Sequence, residues 1–424
     1  MIELLNIIFV SISIFTIFNS RNIIFTKNSS NIFCNFSLNL VIFLNICLIL
    51  SFFNNTVEYL FYILILISII NLRNFFFYLT KFNYVFFILF NLCFFLKISA
   101  EPSLGWDGIA NWYPKVFNFL NSGTFFTLDN YPRDSYPHLG SYLWAVFANY
   151  SFLKYEYLGR FIYFFLYLSS IFLVTSYNKN SHFKNLLIIL IIFIISFDFD
   201  LFKGYQEYLI FSLINIFVIF FYNEKNHKYF GLLTLLIINA IIWCKDEGLI
   251  YSIPIIIMYL VKNDKILSLK NAYFIFLYLL IVIFKFFMMS YLLSDHSLGG
   301  FTMMQILREL FNFSTFLSDT ILILKHSVIS YFKYPIWLFL ILFLLFPSKD
   351  TKRKKTYKGT LYVFIFCLFI NFLIFHIQGT DLLEWRLTTA LDRLNLMLSA
   401  YFVYFIYLNL NQYLQIFIKN GSNK

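Results

Sequence analysis

Apolar runs recur along the whole chain, interrupted only by short links carrying Asn, Lys, Arg or a few acids. They fall near residues 2–18, 32–53, 57–72, 83–98, 160–177, 184–197, 207–222, 229–244, 249–261, 272–292, 321–346, 359–376 and 395–417. About twenty apolar residues carry one helix across the hydrocarbon core of a bilayer, and a helix satisfies its backbone polar groups without water. The pattern predicts an all-α polytopic membrane protein with about thirteen transmembrane helices, in a range of eleven to thirteen because several runs are short. Only 12% of the 424 residues are charged, against about a quarter in soluble domains. Soluble, disordered and disulfide-scaffold classes are excluded.

Composition says little more about chemistry. The 60 Phe and 31 Tyr accompany an excess of Ile, Asn and Lys, the joint bias of AT-rich codon usage, so no aromatic stripe is read as a ligand box. The five cysteines (Cys34, Cys47, Cys93, Cys244, Cys367) sit in apolar runs without a CxxC pair, and neither a disulfide framework nor a zinc site is implied. The six histidines show no HExxH-like spacing. The first run begins with Glu3 and lacks a small-residue cleavage site, which reads as a retained span rather than a signal peptide.

Basic residues set the expected orientation, since short cytoplasmic loops keep Lys and Arg. The strongest marker is Lys349, Lys352, Arg353, Lys354, Lys355 and Lys358. Placing it inside and alternating outward puts 19 of the 32 basic residues inside, among them Arg21, Lys27, Arg73, Lys81, Lys179, Lys225, Lys265 and Lys424. Only three acids, Glu224, Asp264 and Asp350, join them. The net charge of +11 is thus a topology signal and a surface for anionic lipid. It implies no nucleic-acid partner.

The largest extramembrane segment, residues 99–159, is then outside. Trp106, Ile109, Ala110, Tyr113, Val116, Phe117 and Leu120 recur at spacings of three and four, opposite Asp107, Asn111, Lys115 and Asn118. Leu139, Tyr142, Leu143, Val146, Phe147 and Tyr150 repeat the pattern after Tyr136-Pro137, a helix-start signal. Both segments are predicted to be amphipathic helices lying in the outer interface, the first kinked or split at Pro114. Trp106 and Trp112 are expected to anchor it there. Further charges stand at the mouths of spans: Asp198, Asp200, Lys203 and Glu207; Lys245, Asp246 and Glu247; Glu384, Arg386, Asp392 and Arg393. Ionisable groups at a membrane boundary need pairing or solvation. Asp198-Phe199-Asp200 spells a DxD, a short pattern common by chance. Asp295, His296, Arg308 and Glu309 form no interpretable pattern, whereas Lys285, Lys325 and Lys333 lie near lipid headgroup depth.

Trp106-Asp107-Gly108-Ile109-Ala110-Asn111-Trp112-Tyr113-Pro114-Lys115, followed by Tyr136-Pro137 and a hydrophobic helix, resembles the first outer loop of class C (GT-C) membrane glycosyltransferases. The likeness is to bacterial relatives of the polyprenyl-phosphate-mannose protein mannosyltransferases. Gly204-Tyr205-Gln206-Glu207 is similar to a Gly-Tyr-x-acid element of such proteins, Lys245-Asp246-Glu247-Gly248-Leu249 to a Lys-x-Glu-Gly turn, and Leu391-Asp392-Arg393-Leu394 to a late Asp-Arg element. The resemblance spans residues 83–417. It departs in having three extra spans before the loop and Glu207 where Asp is more usual.

The resemblance implies residues 1–82 as added N-terminal helices, 83–417 as the catalytic domain with outer loop 99–159, and 418–424 as a cytoplasmic tail. The implied activity is sugar transfer from a polyprenyl-phosphate donor to a lipid, glycan or protein acceptor outside the cytoplasmic membrane. An acceptor hydroxyl loses a proton as it attacks the anomeric carbon, and a carboxylate is the simplest base; Asp107 takes this role. Cations fixed near the leaving phosphate favour the transition state. Arg393 leads because its fork can hold phosphate bidentately, with Lys245 second. Glu247, Glu207, Tyr205, Lys115, His138 and Asp392 are candidate substrate-binding or orienting residues, Lys115 by pairing with Asp107. A single displacement inverts the anomeric centre and calls for no cofactor, with a divalent metal left open. The rival reading is a polytopic transporter or a lipid flippase of envelope glycan assembly, although no internal repeat of the transporter kind is visible.

Overall fold

The apolar runs become helices, two of them broken within the run, and the links between runs stop them by identifiable means. Asn55 adopts a left-handed φ of 59°, a conformation Asn tolerates better than most residues, and turns the chain from α2 (Ile32–Leu50) into α3 (Thr56–Tyr78). Ser181 caps α8 (His182–Ser196) by accepting from the Lys184 amide at 3.4 Å. The computed structural model describes residues 2–18, 32–131, 136–150, 155–177, 180–224, 226–262, 268–292, 316–348, 355–376 and 383–422, and every element among them is helical. Arg21, Lys27, Lys179, Lys225, Lys265, Lys349, Lys352, Arg353, Lys354, Lys424, Asp264, Asp350, Asp295, His296, Arg308 and Glu309 lie outside the described residues.

The protein is an all-α polytopic membrane protein. Among the described residues eight helices are long and apolar enough to cross a bilayer, or nine when one bent pair counts as a single span. Shorter apolar helices, including α8, α10 (Phe230–Cys244) and the broken α11–α12 segment (Gly248–Tyr251, Ile253–Lys262), accompany them. The bent pair is the run expected as one span over 321–346. It divides into α14 (Phe316–Lys333) and α15 (Pro335–Leu345), turned by 97°. Pro335 lacks an amide proton and its ring disfavours helical backbone at Tyr334, which is extended at φ −105° and ψ 109°.

The chain divides into two compact units, residues 1–176 with 198–296, and residues 177–197 with 297–424. Residues 1–82 therefore pack with the 99–159 loop in one unit. At the centre of the first unit runs α7 (Glu156–Val174), buried from Tyr157 onward. Phenylalanines of α2, α4 (Phe82–Ala100) and α7 interlock around it: Phe33 lies 5.3 Å from Phe87 and 5.0 Å from Phe172, and Phe87 lies 5.3 Å from Phe165. Edge-to-face pairs of this kind add about 0.5–1.5 kcal/mol each beyond burial.

The 99–159 loop folds onto the end of this bundle. A π-helical turn over Gly108–Trp112 leads into α5 (Tyr113–Leu120) with Pro114 in its first turn, so the expected split occurs where Pro costs least. The second segment, α6 (Leu139–Ala148), departs from expectation. All ten of its residues are buried, so it is a core helix and not an interfacial one. It approaches α7 closely because Gly159 offers no side chain; a Cβ there would stand 2.8 Å from the Ala148 amide nitrogen. Trp144 Nε1 donates to the Glu156 carbonyl at 2.7 Å, and Tyr163 Oη donates to the Gly140 carbonyl at 2.8 Å.

In the second unit, α17 (Leu383–Ser399) carries the charged stretch that precedes α18 (Val403–Ser422). Asp392 and Arg393, expected at the mouth of a span, lie inside α17. Its seam with α14 and α16 (Lys355–His376) is polar. Asn371 Nδ2 donates to Asn395 Oδ1 at 2.5 Å and Asn395 Nδ2 donates to Ser330 Oγ at 2.8 Å, while buried Asp319 and His376 pair at 3.1 Å between α14 and α16 themselves.

Candidate functional site

Three loop stretches that are far apart in sequence meet at one end of the first unit. The turn before α5 rests on the link before α9 (Glu207–Glu224): the Gly105 amide donates to the Lys203 carbonyl at 2.7 Å. A Cβ on Gly108 would lie 2.6 Å from that carbonyl and 3.3 Å from Gly204 Cα. Gly204 has φ +95°, backbone that L side chains rarely adopt. Two glycines thus let the Asp107 turn and the Gly204-Tyr205-Gln206-Glu207 stretch touch backbone to backbone. Tyr205 lies across Gly105, its Oη 2.7 Å from where a Cβ would stand. Gln206 Nε2 reaches Ser141 Oγ in the first turn of α6 at 3.5 Å.

The third stretch is the tight link between α10 and α11. Lys245 Nζ donates to Glu207 Oε1 at 2.9 Å, with both side chains nearly buried. Its neighbour Asp246 pairs the other way, accepting from Lys285 Nζ on α13 (Leu269–Leu292) at 3.0 Å. Adjacent opposite charges therefore fasten this link to α9 on one side and α13 on the other. A buried cation left unpaired would be strongly destabilising, which accounts for an acid opposite each lysine. Glu247 begins α11 with its Oε2 buried and unpartnered. Lys285, expected near headgroups, is instead a buried member of this cluster.

Asp107 is half-buried and accepts from Asn111 Nδ2, one helical turn on, at 3.2 Å. Lys115, expected to pair with Asp107 or to snorkel, is fully buried and donates to the Tyr136 carbonyl. His138 is also fully buried, boxed by Phe119, Phe125 and Trp243, with Nε2 2.7 Å from Ser51 Oγ at the end of α2. Ser51 Oγ also sits 2.6 Å from the Leu48 carbonyl, which takes its single proton, so the imidazole is best drawn donating from Nε2. Burial, and then the nearby charges of Lys115 and Lys285, hold His138 well below the usual histidine range. It is a neutral fastening between loop and bundle.

The DxD segment has local work. Asp198 Oδ1 accepts from the Asp200 amide at 3.0 Å, and Asp200 pairs with Lys203 at 2.6 Å, which raises the lysine's affinity for its proton. Arg393 and Asp392 belong to the second unit. Arg393 Nε donates to the Thr389 carbonyl at 3.2 Å, and Asp392 accepts from Lys333 at 2.6 Å.

Sequence reasoning passed over Arg160. Fully buried on α7, it donates to the carbonyls of Pro102 at 2.8 Å, Ser103 at 3.0 Å and Phe202 at 3.3 Å, and to Glu156 Oε1 at 3.1 Å. One guanidinium thus stitches together the strands of chain that deliver Asp107 and Glu207. The signal was present: an arginine inside an apolar run, one turn after an acid, is costly without partners. Lys285 is likewise a cation inside an apolar run, though with no acid one turn before it. No protein-family model, curated protein or solved structure matches this chain.

Proposed function

We propose that the protein is a membrane glycosyltransferase that moves a sugar from a polyprenyl-phosphate donor to an acceptor on the outer face of the cytoplasmic membrane. One observation carries the reading: the Asp107 turn, the Glu207 link and the Lys245 link meet at one end of the first unit through the Gly105 to Lys203 and Lys245 to Glu207 bonds. A carboxylate and cations in one neighbourhood are what inverting transfer from a lipid phosphate requires.

In this reading Asp107 accepts the proton of the acceptor hydroxyl as its oxygen bonds to the anomeric carbon. The bond from that carbon to the phosphate oxygen breaks with its electron pair, and the phosphate leaves as an anion. Asn111 orients the Asp107 carboxylate by donating to its Oδ1. Lys245, held by Glu207, meets the phosphate charge as it grows, and Lys285 adds a second positive charge nearby. Glu247 and Tyr205 fall to sugar hydroxyls, and Lys115 and His138 brace the loop. Arg393, with Asp392 beside it, is proposed as a phosphate ligand of the second unit in its own right. The scheme needs no cofactor.

The test compares membranes carrying wild-type protein with membranes carrying Asp107→Asn, following polyprenyl-linked sugar and glycosylated products by mass spectrometry. Donor consumption and product are expected from wild type alone, with the variant folded. Equal product from both removes Asp107 as the base. A transporter remains the second reading because the second unit holds a buried Asp319–His376 pair and a span broken by 97° at Pro335, features that transporters use at substrate sites. Uptake of labelled sugar or ion into vesicles, abolished by Asp319→Asn and indifferent to Asp107→Asn, would favour it.

A further inference from the structure

Residues 106–126 turn large apolar side chains outward while several of their polar ones are bonded within: Lys115 to the Tyr136 carbonyl, Asn118 Nδ2 to the Thr124 carbonyl at 2.9 Å, and Asn118 Oδ1 accepting from Thr127 Oγ1 at 2.8 Å. Trp112, Val116, Phe119 and Phe125 face the protein interior, but four other large apolar side chains do not. Trp106 and Ile109 are each 58% exposed, Phe117 50% and Phe126 43%. Phe126 continues through Phe52, at 6.0 Å, to exposed Phe53 at the end of α2, so the patch joins the face that α3 turns outward with Tyr59, Tyr62 and Ile63. In water these four exposed side chains would forgo the gain of burial. Against hydrocarbon they recover it, and Trp is the residue that settles at a bilayer boundary.

We infer that residues 106–126 form a lip immersed in the lipid surface, and that the molecule acted on beside it is a membrane-borne amphiphile. The first half rests on exposure and bonding alone; the second rests on the glycosyltransferase reading. Asp107 stands between Trp106 and Ile109, so a hydroxyl that reaches its carboxylate does so at the level of the headgroups. A lipid-anchored acceptor is held at that depth, and its apolar chain lies along the lip. A soluble acceptor would have to cross that rim.

Bromine-labelled phosphatidylcholine vesicles carrying the reconstituted protein test the lip. Bromine on the acyl chains is expected to quench part of the tryptophan emission, and Trp106→Phe to remove that quenched component. Trp106 emission quenched by aqueous iodide and untouched by bromolipid would overturn the lip. For the acceptor, wild-type and Asp107→Asn membranes are extracted with chloroform and methanol. A glycosylated product that depends on Asp107, distinct from the donor, is expected in the organic phase. Its appearance only in the aqueous or protein fraction overturns the amphiphilic acceptor and leaves the transferase reading intact. Lipid quenching with no Asp107-dependent product in any fraction keeps the lip and overturns both the acceptor and the transferase reading.

Discussion

The two helical segments of the 99–159 loop look alike in sequence and end in opposite surroundings. The first, residues 106–120, turns Trp106, Ile109 and Phe117 outward and buries Asn111, Lys115 and Asn118. The second, α6, is buried on every side. Periodicity of three and four reports only that two faces of a helix differ. In water the apolar face must be the inner one; beside lipid it can be either, and side-chain partners decide. Asn118 and Lys115 find carbonyls inside the protein. On the other segment, Gly140, Ser141 and Ala145 are small enough for neighbouring helices to close over every face.

The largest break in this contrast is expected at Trp144. Trp144→Ala opens a cavity between α6 and α7 and removes the indole donor now bonded to the Glu156 carbonyl at 2.7 Å. Large-to-small core changes of this type cost about 3–5 kcal/mol, visible as a sharply lower melting temperature in detergent. A loss no larger than that of a surface change would mean that α6 is not a core helix.

Lys115→Met should come next. The substitution keeps most of the side-chain length but removes the donor to the Tyr136 carbonyl, for which about 1–3 kcal/mol is expected. The same variant also takes a positive charge away from His138, so its imidazole should titrate at higher pH. Histidine resonances followed by NMR against pH would read the shift directly.

A smaller effect depends on pH. Burial lowers the His138 pKa in the folded state, so the stabilisation is complete above the unfolded value of about 6.5. Below that pH the unfolded chain takes up the proton first, and stability falls by at most about 1.4 kcal/mol per pH unit until the folded imidazole titrates as well. Melting measured between pH 7.5 and pH 5 should therefore show a steeper acid loss in wild type than in His138→Gln. Parallel profiles would mean that the imidazole is already solvated in the fold.

The class of fold was legible because apolar run length and charge depletion are properties of composition and order alone. The break at Tyr334-Pro335 was not read from the sequence, where 321–346 stood as one span; the proline inside that run was its only sign, and the structure converts it into a 97° turn. The site was half legible. Lys245 and Glu207 stand at the mouths of runs, where charges need partners, but nothing local tells which acid meets which lysine across 38 positions of sequence. The same limit hid Arg160, whose partners are mostly backbone carbonyls of other segments. Carbonyls have no residue type, so no pattern of side chains announces them. The partner of His138 was hidden in the same way, since Ser51 lies 87 residues earlier.

The smallest expected effect is the most diagnostic for the outward face. Ile109→Ser removes apolar surface that the protein itself does not bury, since Ile109 is 58% exposed. Changes away from buried groups usually stay within about 0.5 kcal/mol, so in detergent the variant should melt almost with wild type. In a bilayer the hydroxyl replaces hydrocarbon that had been in contact with lipid, and the variant should show shallower bromolipid quenching of its neighbour Trp106 with little change in melting. A destabilisation approaching that of Trp144→Ala would instead place Ile109 inside the protein. The two segments of the loop would then be one kind of helix after all, and the lipid-facing side would have to be sought elsewhere.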